Sequence, residues 1–208
     1  MTCDLAEFLR ARLREPLPGR AAQSRFEPEL SFGRHYAPPP PDARHAAVML
    51  LLYPQGARWL LPCTLRPETL SSHAGQVSLP GGLIEPGESS QDAALRELQE
   101  ELGIDSARVD VLGQLSPLYL FVSNFSVVPW VGVLDHAPDF VPNPGEVEEV
   151  LEVPVEFLLD ESNRGRHTHT HRDLSFSAPH FLWQGHRIWG ATSMILSELV
   201  ALVEEVPV

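Results

Sequence analysis

The 208 residues suit one domain with a small extension, and a chain of this length buries a sizeable core. Hydrophobic residues at 43% and charged residues at 21% are ordinary for a soluble globular protein, and no apolar run reaches the ~18–20 residues of a membrane helix. Lys+Arg at 15 against Asp+Glu at 28 leave a net charge of −13, which repels a nucleic-acid backbone but still admits a small phosphorylated substrate bridged by a divalent cation.

In chain order, Met1-Thr2-Cys3-Asp4 shows no basic-then-apolar secretory pattern, and Cys3 and Cys63 have no metal or redox spacing. The expectation is free thiols in a reducing, cytoplasmic setting. Residues 4–14 predict an amphipathic helix with Leu5, Phe8, Leu9 and Leu13 on one face, ended by Pro16 and Pro18. Residues 15–43 are Pro-rich, so 1–43 read as an arm and 44–208 as the domain. Ala46–Tyr53 and Arg58–Arg66 predict strands about the turn Pro54-Gln55-Gly56, and Gln76–Leu79 a short extended piece. Pro80-Gly81-Gly82 opens a loop closing at Glu85-Pro86-Gly87-Glu88. Ser89 or Ser90 then caps a helix to about Leu102, stopped by Gly103. Val109–Leu115 and Val127–Leu134 read as strands, 135–145 as a loop, Glu146–Val153 as an acidic and apolar strand candidate, and Pro154–Leu159 as one or two helical turns. Residues 161–172 read as a His-rich polar loop, Phe181–Trp183 and Arg187–Trp189 as a hairpin, and Ala191–Glu204 as a closing helix. The mixture predicts an α/β or α+β sandwich.

Chemistry concentrates between Gly82 and Ile104. At helical spacing Leu95, Leu98 and Leu102 face a core, while Glu97, Glu100 and Glu101 cluster on an open face. Like charges at i, i+3 and i+4 destabilise a helix by roughly 0.2–0.5 kcal/mol per pair. Arg96 is the only adjacent cation, so a hard divalent cation explains the cluster better than solvent does. Gly81 and Gly82 let backbone approach a ligand or expose a carbonyl to a metal, and Gly87 turns Glu88 back toward the helix.

Gly82, Glu88, Arg96, Glu97, Leu98, Glu100, Glu101, Gly103 and Ile104 reproduce the Nudix box without departure, and the chain resembles that family. The resemblance implies an α/β/α sandwich with a mixed sheet and hydrolysis of a nucleoside diphosphate linked to another group. It implies Mg²⁺ or Mn²⁺ held by Glu97 and Glu101, with Glu100 direct or through water and the Gly81 carbonyl as a further ligand. Arg96 would orient the carboxylates. The base stays open between Glu88 and Glu97 in the box and Glu146, Glu148 and Glu149 downstream, where an acidic edge strand accounts for at least two of the three.

Thr64, Arg66, Gly75, Pro80, Gly81 and Gly82 are in register with the motif of the coenzyme A pyrophosphatase branch, and His73 and Ile188-Trp189-Gly190 also resemble it. Pro62-Cys63, Pro67, Ser71 and Leu79 depart from it; Ser71 stands where the branch has a second arginine. The resemblance implies substrate binding by Arg66, His73 and Gly82, although a backbone-bonded loop residue explains His73 as well. Ile188 and Trp189 read as core residues. The expected partner is a nucleotide-containing small molecule, with no nucleic acid or membrane, for a monomer or homodimer. His167, His169 and His171 invite a zinc reading, but without cysteine they are expected to be loop residues.

Overall fold

The computed structural model describes residues 5–69, 73–171 and 173–206, the side chain of His171 excepted. Cys3 and Ser71 lie outside the described residues. The elements run α1 (Leu5–Arg12), α2 (Arg20–Gln23), β1 (Arg44–Gln55), β2 (Arg58–Leu65), β3 (Val77–Ser78), β4 (Gly81–Leu83), α3 (Ser90–Leu102), β5 (Asp110–Gln114), β6 (Leu118–Leu120) and β7 (Phe125–Val133). They continue with β8 (Glu149–Pro154), α4 (Val155–Leu159), β9 (Arg164–His171), β10 (Leu174–Trp183), β11 (His186–Trp189) and α5 (Gly190–Val203).

The large sheet runs β3-β2-β1-β7-β5, with β4 on β1, β6 on β7 and β8 on β2. It is mixed: β1 and β7 are parallel, and β1 is antiparallel to β2 and β4. Parallel central strands must be covered on both faces, and β1 is apolar in both phases of its pleat. Ala46, Leu50 and Leu52 enter one core, with α1, α5 and Phe181 and Ile188 of the small sheet. Ala47, Met49, Leu51 and Tyr53 enter the other, beneath Ala93, Ala94, Leu98 and Leu102 of α3. Helices therefore cover both faces of a mixed sheet, the expected α/β/α sandwich. Burying Leu98 and Leu102 contributes about 1.5–3 kcal/mol each, which outweighs the repulsion along the acidic side of α3.

The arm packs back on the domain. Leu5, Leu9, Ala22 and Phe26 are buried, and Phe26 stacks on Phe181 at 4.2 Å between ring centroids. Glu198 of α5 is fully buried and satisfied by four donors: the Gly19 amide at 2.9 Å, Gln23 Nε2 at 2.9 Å, and the Ser116 amide and hydroxyl at 3.2 and 2.6 Å.

The His-rich stretch is a correction. Residues 164–171 form β9, paired with β10 in a three-stranded antiparallel sheet ordered β11-β10-β9. Alternating His and Thr is a period-two pattern that suits a pleated edge, and polarity on both faces masked it. β10 also begins earlier than expected, at Leu174, and the short β6 was not foreseen.

Candidate active site

Two caps fix α3. The Ser89 hydroxyl accepts from the Asp92 amide at 3.1 Å, and Gly103 takes the left-handed conformation, φ 70°, that ends the helix. The segment after β7 then seats on the helix C-terminus. The Val141 and Asn143 amides donate to the Leu102 and Glu101 carbonyls, both at 2.9 Å. A Cβ on Gly103 would lie 2.8 Å from Val141 Cβ, so only glycine leaves room for this seat.

The helix face is not open as expected. Glu101 is only 2% exposed, Glu97 is half-buried and Glu100 is exposed, while Leu95 is half-buried and packs at the edge of the core beneath α3. The carboxylates that converge are Glu97, Glu101 and Glu146, each offering an oxygen within 4.8 Å of the others. Glu146 arrives through Asn143, whose Nδ2 donates to its carboxylate at 3.1 Å and whose carbonyl accepts from the Glu146 amide at 3.0 Å. Asn143 itself carried no sequence signal beyond its Asn-Pro-Gly turn. Glu148 and Glu149 are exposed; Glu149 pairs in β8.

Arg96 gathers the other side. It clasps Glu88 through Nε at 2.9 Å and Nη2 at 3.1 Å, Glu97 through Nη1 at 2.8 Å, Glu100 through Nη1 at 3.0 Å and the Leu83 carbonyl through Nη2 at 2.9 Å. That clasp, with the Glu85 amide, holds the Glu88 carboxyl below the usual range. Glu100 lies outside the cluster of three, at the rim with Arg96. A surface depression bordered by Glu88, Arg96 and Glu100 is lined by none of the clustered glutamates.

The two glycines make room for the carboxylates. A Cβ on Gly82 would lie 2.2 Å from Glu97 Oε1, so the missing side chain gives Glu97 its place. A Cβ on Gly81 would lie 2.4 Å from the Ala47 carbonyl, which lets β4 close on β1 and brings the Gly81 amide to the Glu101 carboxylate.

Electrostatics set the cluster apart. Burial, reinforced by Glu97 and Glu146 and opposed by Arg66 and the Gly81 amide, pushes the Glu101 carboxyl up to about 8. Burial also raises Glu97, against the pull of Arg96. Glu101 Oε2 is buried without a hydrogen-bond partner among the described residues. Three convergent carboxylates, one with an orphaned oxygen, fit a divalent cation with oxygen ligands.

Arg66 reaches this cluster from the end of β2, near enough to act on the Glu101 carboxyl, and its Nε is buried without a partner among the described residues. His73 is exposed, left-handed at φ 56°, and bonded through Nδ1 to Gln76 Oε1 at 2.9 Å; the structure does not bring it to the carboxylates. Ile188 is core, whereas Trp189 is half-buried against the His169 ring.

A model of the NUDIX domain matches residues 43–175. The chain belongs to the Nudix family. An uncharacterized Nudix hydrolase, NudL, of Photorhabdus laumondii is 40% identical over 182 residues, covering 80% of this chain and 91% of the relative. NudL of Yersinia enterocolitica is 35% identical over 202 residues, covering 96% and 93%. The mouse mitochondrial coenzyme A diphosphatase NUDT8 is 40% identical over 139 residues, which is 64% of this chain and 65% of that protein. The Nudix hydrolase RenU of M. smegmatis shares the fold, with a TM-score of 0.57 at 16% identity over 80% of this chain and 89% of its own.

Proposed function

We propose that this Nudix hydrolase cleaves the diphosphate linkage of coenzyme A or acyl-coenzyme A, giving 3′,5′-ADP and a 4′-phosphopantetheine product with Mg²⁺ or Mn²⁺. The observation that carries the substrate reading is Arg66. It stands in the Thr64-x-Arg66 motif, beside Glu101, with a buried Nε that has no partner among the described residues. A guanidinium with a free buried Nε among the described residues, next to a cation site, suits the phosphate-rich end of a nucleotide. The names of NUDT8 and of the mouse peroxisomal coenzyme A diphosphatase NUDT7, 39% identical over 114 residues, support the same substrate class.

Glu97, Glu101 and Glu146 would hold the cation, which when bound offsets the diphosphate charge and acidifies a water. The protein's own groups do the rest. Arg96 fixes the Glu97 rotamer and neutralises the rim. Glu97 and Glu146 are less enclosed than Glu101, and one of them would take the proton of an attacking water. Glu88, with both oxygens held by Arg96, acts as a clasp rather than as the base.

A substrate panel with products resolved by mass tests the reading: coenzyme A, its 3′-dephospho form, an acyl thioester and a dinucleotide, each with Mg²⁺ and Mn²⁺. Arg66→Ala should lower kcat/KM for coenzyme A about 10- to 150-fold, the loss of one charge-assisted contact. The loss should be smaller for the dephospho form. Preference of the unaltered enzyme for a dinucleotide would remove the coenzyme A reading and leave diphosphate hydrolysis standing.

A further inference from the structure

The small sheet shares a layer with the strands that lead to the glutamates. Leu61, Cys63 and Val77 of β2 and β3 enter the same core, under α5, as Phe181 and Ile188 of β10 and β11. β11 packs against β3, and the Thr192 hydroxyl at the start of α5 donates to the Val77 carbonyl at 3.2 Å. Strand residues alternate between faces. The opposite phase of both sheets therefore turns to the same side, away from α5. In the large sheet that phase carries Thr64, Ser78 and, just past β2, Arg66, which acts on Glu101. In the small sheet it carries His167, His169, His180, Arg187 and Trp189.

That face differs in charge from the rest of the chain. The cations in the phase of Phe181 all meet acids: Arg164 with Glu161 at 3.2 Å, Arg166 with Glu29 at 3.7 Å and His186 with Glu149 at 3.8 Å. Arg187, in the phase of His180, is exposed and has no ion pair among the described residues. No paired position of its face holds a carboxylate, in a chain of net charge −13. His167 Nδ1 meets His180 Nδ1 at 3.2 Å, beside Gly165, where a Cβ would lie 3.0 Å from the His180 ring. Burial holds both rings below the usual histidine range, with His180 and Arg187 adding to it at His167 and Arg187 at His180. An anion on Arg187 would offset that charge and draw the rings toward protonation.

We propose that Arg187, with His167 and His180, forms an outer subsite of the active site, which receives a phosphate monoester that the substrate carries beyond its diphosphate. The subsite rests on the diphosphate-hydrolase reading above. A substrate held by its diphosphate at the glutamates reaches this face by passing Arg66 and β3. The guanidinium supplies the charge-assisted contact to the monoester, and an imidazole N–H can donate to a further oxygen. In coenzyme A that monoester is the 3′-phosphate.

Two measurements on the full chain test it. Inorganic phosphate is titrated into the metal-free protein while the imidazole signals of His167 and His180 are followed by NMR. Both should move along one saturable curve, and Arg187→Ala, at an exposed position, should abolish the movement. The second measurement is the ratio of kcat/KM on coenzyme A to that on its 3′-dephospho form. Arg187→Ala should lower that ratio about 10-fold, the low end for a charge-assisted contact. Arg166→Ala, in the other phase, should leave it in place. Imidazole signals that stay still, or that move equally in Arg187→Ala, overturn the subsite. So does an unchanged ratio in Arg187→Ala when the unaltered enzyme prefers coenzyme A. If the unaltered enzyme prefers a dinucleotide, the coenzyme A reading falls and the phosphate titration alone decides the subsite.

Discussion

Glu101 concentrates the energetics of the site in one side chain. Its carboxyl titrates near 8 in the fold and near the ordinary glutamate value when unfolded. The folded state therefore holds the extra proton between those limits, and the metal-free protein loses stability as pH rises through that window. A cation must displace that proton, so divalent affinity should climb as pH rises toward 8 and flatten above it. Calorimetric titration at several pH values checks the slope. Glu101→Gln should remove binding and lower kcat by orders of magnitude, yet raise the Tm of the metal-free protein. Asn143 makes a separate prediction. Asn143→Ala frees the Glu146 carboxylate and should weaken divalent affinity by roughly 10- to 150-fold, the worth of a hydrogen bond to a charged group. Unchanged affinity would show that Glu146 holds its place without it. The sequence signals residues of this kind unevenly. Glu97 and Glu101 are legible because a like-charged helix face needs a cause, and Glu146 was visible only as one of several base candidates. Asn143 was invisible, since its role is to join two backbones that meet only in the folded chain.

Elements were legible in proportion to their periodicity. β1 declares itself by an unbroken apolar run, and α3 by leucines at helical spacing between a serine cap and Gly103. β9 was hidden because its alternation is polar against polar, and β6 because three residues carry no period. The burial of Glu101 was equally hidden, for the segment 141–147 that covers it is distant in sequence. Two predictions belong here. Ser89→Ala removes the α3 cap and should destabilise the protein by about 1 kcal/mol, lowering Tm by ~2–4 °C with kcat unchanged. Gly82→Ala asks for no unusual backbone angle but drives a methyl into Glu97, so it should act mainly on catalysis. A loss of about 100-fold in kcat with a small change in Tm is the expected pattern. A large fall in Tm with normal turnover would make Gly82 a folding position.

At the scale of the molecule, the arm is fastened by a carboxylate rather than by apolar area alone. Glu198→Ala leaves the Gly19 and Ser116 amides and the Gln23 side chain without their buried acceptor, and should reduce stability by about 2–3 kcal/mol. Denaturant melts measure that loss, and limited proteolysis should cut the arm first. Equal protection in the variant would mean that the apolar contacts of Leu9 and Phe26 and the remaining bonds to α5 hold it without Glu198.

The latch also imposes an order on synthesis. Gly19 and Phe26 leave the ribosome well over a hundred residues before Phe181 and Glu198, on which they depend. Until α5 emerges, Leu9 and Phe26 have no finished core to enter, and the nascent chain carries an uncovered apolar segment. A premature stop before α5 therefore also strips the cover from Leu9 and Phe26, far upstream of the break.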